Sequence, residues 1–179
     1  MNVCVYCASS DRVDSRFHDA ATELGEWIAA GRHTLVYGGG SVGLMGTLAR
    51  AVHARHGKVA GYIPRRLQEI EGRAYDIADE LVVTETMSER KRGMYTRADA
   101  FVILPGGIGT LEEFFEVLTL RKLGYHAKPI VVVNLLNFFD PLLALLRHVD
   151  QQEMSPGIME DGSFVAVTSV AEVFEVLAK

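Results

Sequence analysis

The stretch Ala100-Phe-Val-Ile-Leu-Pro-Gly-Gly-Ile-Gly-Thr-Leu-Glu-Glu113 decides the reading of this chain. An apolar run ends at Leu104, a glycine-rich turn follows, and an amphipathic helical segment opens near Thr110. Gly106, Gly107 and Gly109 let the backbone take positive φ and approach a ligand closely, and free N–H groups at the start of the next helix attract an anion. Thr110 adds a hydroxyl donor, and Glu113 closes a pair of carboxylates beside the turn. Thr110-x-x-Glu113 is also a capping-box spacing, in which Glu113 would do no more than satisfy the backbone N–H of Thr110.

A second turn of the same kind stands upstream, Tyr37-Gly-Gly-Gly-Ser-Val-Gly-Leu-Met-Gly46, again between a β-like run and a helical one. Short, nearly continuous apolar runs recur at Val3–Tyr6, Thr34–Tyr37, Val59–Ile63, Leu81–Thr84, Ala100–Leu104, Ile130–Val133 and Phe164–Val167, as expected of strands covered on both faces. Helix-period segments alternate with them near 14–30, 43–56, 87–98, 110–123, 140–152 and 169–178. Gly31, Gly57 and Gly124 stand where helices should end, and Pro129 and Pro141 where elements start. The pattern predicts a Rossmann-like α/β fold: a doubly wound, mainly parallel sheet with helices on both faces. Both glycine turns would then leave carboxyl ends of strands and line one crevice. Pro64 to Asp79 has weak helical character without firm caps and is read as a flap.

At 179 residues and 49% hydrophobic content, with no linker or composition shift, the chain reads as one domain, 1–179. A net charge of −5, with both signs interspersed, argues against a general nucleic-acid or membrane-surface binder. The first residues lack the basic region and long apolar stretch of a signal peptide, and no run of about 18 apolar residues occurs, so a soluble, cytoplasmic protein is expected. Cys4 and Cys7 form a C-x-x-C, but no second pair completes a zinc site, and positions three apart in a strand face opposite ways. They are read as buried thiols, with a redox pair as the other possibility; no metal and no cofactor are expected.

Gly38, Gly40 and Gly43 satisfy G-x-G-x-x-G, yet the turn follows the second strand, and Ile63-Pro-Arg-Arg66 stands where an acidic ribose anchor belongs. A dinucleotide site is therefore disfavoured. Neither turn ends in Gly-Lys-Ser/Thr, which excludes a P-loop. A third element, Thr86-Met-Ser-Glu-Arg-Lys-Arg-Gly-Met94, opens the helix before the Pro-Gly-Gly strand; Thr86-x-x-Glu89 is a capping box, and Arg90 would sit on the same rim as Glu113. Read alone, such an arginine is an ordinary surface charge.

Together Gly38-Gly-Gly-Ser-Val-Gly-Leu-Met-Gly46, Met87-Ser-Glu-Arg-Lys91 and Pro105-Gly-Gly-Ile-Gly-Thr-Leu-Glu-Glu113 resemble the LOG (Lonely guy) family of cytokinin riboside 5'-monophosphate phosphoribohydrolases, often mislabelled lysine decarboxylases. The resemblance runs from Cys4 to about Leu146. It implies that Arg90 and Glu113 are catalytic, and that Gly39, Gly40 and Gly43 with Gly106, Gly107, Gly109 and Thr110 hold the 5'-phosphate and ribose. Lys91, Thr119 and Glu71 match further substrate-contacting positions. Ser88, Leu120 and Lys122 depart from the family's usual His, Trp and Gln, which leaves base preference open.

The implied reaction is hydrolysis of the N-glycosidic bond of a purine-type nucleoside 5'-monophosphate, through a transition state with positive charge on the sugar. A carboxylate at Glu113 would stabilise that charge and orient or deprotonate water, with Arg90 fixing the ribosyl phosphate and holding Glu113 ionised. A homodimer is implied by the family, with the apolar helices around Leu111–Leu123 and Leu142–Leu146 as candidate surfaces. A pyridoxal-phosphate lysine decarboxylase is poorly supported, since no lysine has a Schiff-base context. The rival of a different class is a non-catalytic nucleotide or molybdenum-cofactor carrier, which would not require the Arg90/Glu113 pair.

Overall fold

The computed structural model describes residues 1–71, 75 and 77–178, with the side chains at 70 and 71 outside that set. Among the described residues the elements run β1 (Asn2–Tyr6), α1 (Ser15–Ala30), β2 (Thr34–Tyr37), α2 (Gly43–Ala54), β3 (Lys58–Pro64), α3 (Arg65–Glu71) and β4 (Glu80–Thr84). The second half continues with α4 (Met87–Arg97), β5 (Ala100–Ile103), α5 (Ile108–Lys122), β6 (Ile130–Val133), a 3-10 turn (Leu135–Asn137), α6 (Asp140–Gln151), β7 (Val165–Val167) and α7 (Val170–Leu177). The strands form one sheet in the order β4-β3-β2-β1-β5-β6-β7, and every neighbouring pair is parallel. The order reverses between β1 and β5, the position at which doubly wound sheets open a crevice.

The continuous apolar strands divide their side chains between two cores. Val3, Val5, Val102, Leu104, Val131 and Val133 face a core shared with Leu24 and Ile28 of α1 and Leu48 and Val52 of α2. Cys4, Tyr6, Phe101, Ile103, Ile130 and Val132 face the other, with Met94 of α4, Phe114 and Val117 of α5 and Leu143 of α6. Each fully buried side chain of this size contributes about 1.5–3 kcal/mol, and the alternation shows why neither face of these strands tolerates polar residues. Cys4 and Cys7 are free and buried in opposite cores, as expected, and burial pushes both thiols well above their ordinary range.

Local chemistry sets the helix ends. Asp14 caps α1 by accepting from Arg16 N at 2.9 Å, and Ser169 caps α7 by accepting from Glu172 N at 3.3 Å. At Gly124 the expected left-handed stop is found (φ 77°), but after α1 and α2 it is Arg32 (φ 53°) and His56 (φ 57°) that turn left-handed. Gly57 serves proximity instead, since a Cβ there would lie 2.7 Å from the Ala29 Cβ. The expected flap from Pro64 to Asp79 is replaced at its start by the end of β3 and by α3; residues 72–74 and 76 lie outside the described residues. No helix of the described residues is long and apolar enough to cross a membrane.

Candidate active site

Thr86 caps α4, its hydroxyl accepting from Glu89 N at 3.1 Å, while the Glu89 carboxylate accepts from Glu85 N at 3.0 Å. The cap fixes the first turn, from which Arg90 points into the protein and Arg92 points to solvent. Arg90 Nε donates to Tyr62 O at 3.1 Å, and Nη1 donates to Glu113 Oε1 at 3.0 Å. The two side chains are only 11% and 9% exposed, so the ion pair is a buried one. Arg90 is therefore no surface charge.

Glu113 lies one turn into α5, and the cap of that helix is Gly107, not Thr110. Thr110 is already helical, which removes the capping-box role and leaves the Glu113 carboxylate for Arg90. Its neighbour Glu112 is on the exposed side, where Lys91 Nζ bonds it and reaches Glu116 at 3.2 Å. Burial pushes the Glu113 carboxyl up to about 7; the Arg90 guanidinium opposes this, Glu112 and Glu116 reinforce it, and Lys91 opposes it weakly. Arg90 favours the ionised carboxylate, as expected, but desolvation outweighs it, and the group changes charge near neutrality.

The N–H groups of Ile108, Gly109 and Thr110 open α5 without intrahelical partners, and Gly107 and Gly109 would each direct a Cβ into open space. Gly106 instead packs on Thr110, whose Oγ1 would lie 2.2 Å from a Cβ at 106. In the first turn, Gly39 (φ 75°) approaches the Tyr62 backbone, and Gly43 (φ 63°) would set a Cβ 2.5 Å from the Ser9 carbonyl carbon. The Gly43 N–H donates to Asp11 Oδ1 at 2.7 Å, so a carboxylate of the chain itself occupies the start of α2.

Both turns border a cleft of about 290 Å³ beyond the carboxyl ends of β1, β2, β3 and β5. Of the residues expected in the site, Gly40, Arg90, Gly107, Gly109, Thr110 and Glu113 line it. Gly39, Gly43 and Gly106 support it from behind, Lys91 is turned to Glu112 and Glu116, and Thr119 lies on an apolar groove between α5 and α6. The Glu71 side chain lies outside the described residues. The cleft is also lined by Gly38 of the expected glycine turn, and by Ser9 and Met87, which the sequence did not single out as site residues. Ser9 was within reach of it, because it follows β1 at the reversal of strand order. Among the described residues no cluster of His, Cys, Asp or Glu suited to a metal ion is present.

Fold and cleft define an α/β protein in which one cleft joins a helix N-terminus to a buried Arg–Glu pair. Residues 45–177 match the family model described as possible lysine decarboxylase. The chain is 44% identical over 152 residues to the cytokinin riboside 5'-monophosphate phosphoribohydrolase LOG2 of Arabidopsis thaliana, covering 83% of this chain and 70% of the relative. It is 44% identical over 177 residues to the cytokinin riboside 5'-monophosphate phosphoribohydrolase of Mycobacterium tuberculosis, covering 98% and 92%. The chain belongs to the LOG family. In fold it is similar to the molybdenum cofactor binding protein of Rippkaea orientalis, with a TM-score of 0.74 at 19% identity over 99% of this chain and 94% of that one. The Moco carrier protein of Chlamydomonas reinhardtii is similar too, with a TM-score of 0.75 at 20% identity, covering 99% and 94%.

Proposed function

We propose that this protein hydrolyses the N-glycosidic bond of adenosine 5'-monophosphates, N6-substituted ones of the cytokinin type included, to the free base and ribose 5-phosphate. The observation that carries the reading is the buried Arg90–Glu113 pair at 3.0 Å, opening on the same cleft as the unpaired N–H groups of α5. The 5'-phosphate would bind those N–H groups, and anchoring it there lets binding energy orient the sugar carbon beside Glu113. As the bond from that carbon to the base nitrogen breaks, the Glu113 carboxylate stabilises the growing positive charge. It then takes a proton from the water whose oxygen bonds to the carbon; the base nitrogen, which keeps the electron pair of the broken bond, is protonated from solvent, and Glu113 returns its proton to solvent to complete the cycle. With its carboxyl titrating near 7, Glu113 is a far better proton acceptor than an ordinary glutamate.

None of the described lysines lines the cleft, and Lys128 spends its ammonium on Tyr95 O at 2.8 Å and Thr96 O at 3.4 Å, so a lysine Schiff base finds no support. The protein is proposed to act in the cytoplasm as a homodimer through the apolar groove of Phe115, Leu118, Leu123 and Leu145, which light scattering would test. The test of function is incubation with AMP and with N6-isopentenyl AMP. Release of base and ribose 5-phosphate by the wild type supports the hydrolase, and the ratio of rates names the preferred base. Tight binding without release would instead favour a carrier.

A further inference from the structure

Among the described residues the Arg90 guanidinium is held on three sides, by two hydrogen bonds and one packing contact. Nε is fixed by Tyr62 O and Nη1 by Glu113. The third nitrogen, Nη2, lies against the backbone of Gly38, so closely that a Cβ at that position would be 2.0 Å from it. We infer that Gly38 is a positioning residue: its absent side chain is the slot that lets the Arg90 guanidinium lie between the end of β2 and Glu113.

The glycine is not there for backbone conformation. Gly39 and Gly43 carry positive φ, whereas Gly38 does not, so an alanine at 38 is conformationally permitted. The other close neighbour of a Cβ at 38 is Met45 Sδ at 3.1 Å, near the end of a flexible side chain that yields by a few tenths of an ångström. The guanidinium has no such freedom, because Tyr62 O and Glu113 hold its other nitrogens. The Tyr62 anchor is itself kept in register by a second glycine, since a Cβ on Gly93, one turn beyond Arg90, would lie 2.6 Å from the Tyr62 ring. A methyl group on residue 38 must therefore push the guanidinium off Glu113.

The activity readout rests on the hydrolase reading, whereas the stability readout does not. Wild type, Gly38→Ala, Arg90→Ala and the double variant are compared by thermal unfolding and by hydrolysis of AMP and N6-isopentenyl AMP. In the wild-type background Gly38→Ala is expected to lower kcat on the order of 100-fold, as for a catalytic group displaced by about 1 Å, with a smaller change in KM. In the Arg90→Ala background, where the slot is empty, the same change is expected to leave the melting temperature unaltered. If Gly38→Ala alone does not fold, recovery of folded protein on adding Arg90→Ala supports the slot. Equal loss of stability in both backgrounds, or an unchanged kcat for Gly38→Ala, would overturn it. A wild type without any hydrolysis would sink the functional reading, and the thermal comparison would still decide the slot.

Discussion

The two glycine-rich turns, Gly38–Gly46 and Gly106–Thr110, each leave a parallel strand and enter a helix on the rim of one cleft, yet Gly38, Gly39 and Gly43 of the first press against protein while Gly107 and Gly109 of the second do not. In the first turn the missing side chains make room for protein: Gly38 for Arg90, Gly39 for the Tyr62 backbone, Gly43 for the Ser9 backbone. The helix start behind it is filled by the Asp11 carboxylate. In the second turn Gly107 and Gly109 face open space, and it is the start of this helix that is proposed to hold the phosphate. Glycine spacing thus marks where a chain must pass closely, but not whether the neighbour is a phosphate or another part of the same molecule.

The contrast breaks most visibly at Glu113, the ionisable group beside the second turn. Glu113→Gln keeps the shape but not the charge, and is expected to lower the hydrolysis rate by about two to four orders of magnitude while AMP affinity by calorimetry changes little. A variant that still turned over near the wild-type rate would remove Glu113 from the chemistry.

The pH dependence sharpens the same point. The Glu113 carboxyl titrates at about 7 when folded against an ordinary 4.5, so its contribution to stability is present below 4.5 and is lost as pH rises through 7. That contribution is on the order of 3 kcal/mol, read as the difference in pH dependence between wild-type and Glu113→Gln unfolding curves. The hydrolysis rate runs the other way, falling about tenfold per pH unit below 7 as the base is protonated. Curves of equal slope for the two proteins between pH 4.5 and 7 would contradict the buried, uncharged carboxyl.

Next in size is a matched pair of substitutions. Gly43→Ala forces a left-handed alanine against the Ser9 backbone and is expected to cost about 1–3 kcal/mol or more in denaturant unfolding. Gly109→Ala lies in the first turn of α5 with nothing in the way, so it is expected to add about 0.5–1 kcal/mol of stability while raising KM for AMP as the methyl crowds the phosphate. Matching signs for the two stability changes would erase the distinction between the turns. The smallest effect is reserved for Asp11→Ala, expected to cost about 1 kcal/mol through the lost bond to Gly43 N with hydrolysis unchanged; a large loss of turnover would give the start of α2 itself a part in substrate binding.

Most of the architecture was legible in the chain. Thr34–Tyr37 and Ile130–Val133 are strands to the residue, and the other strands differ at their ends by a residue or so. The strands could be read because burial on both faces demands continuous apolar runs, whose lengths the sequence displays directly. α3 was missed because seven residues without caps carry too little local signal. The helix α5 begins at Ile108, ahead of the expected 110, because the backbone of Gly107 serves as cap where Thr110 was the visible candidate.

The sequence by itself determined the parallel α/β order and the carboxyl-end location of both turns, since these depend on spacing along the chain, and its resemblance to the LOG family singled out Arg90 and Glu113. Only the tertiary structure decided what each glycine admits, that Asp11 occupies the start of α2, that Lys91 pairs with Glu112 and Glu116, that Thr119 lies on the groove between α5 and α6, and that burial raises the Glu113 carboxyl to about 7. Those properties arise from contacts between residues distant in sequence and from the exclusion of water around them. Steric clearance and desolvation exist only once the strands have been brought side by side.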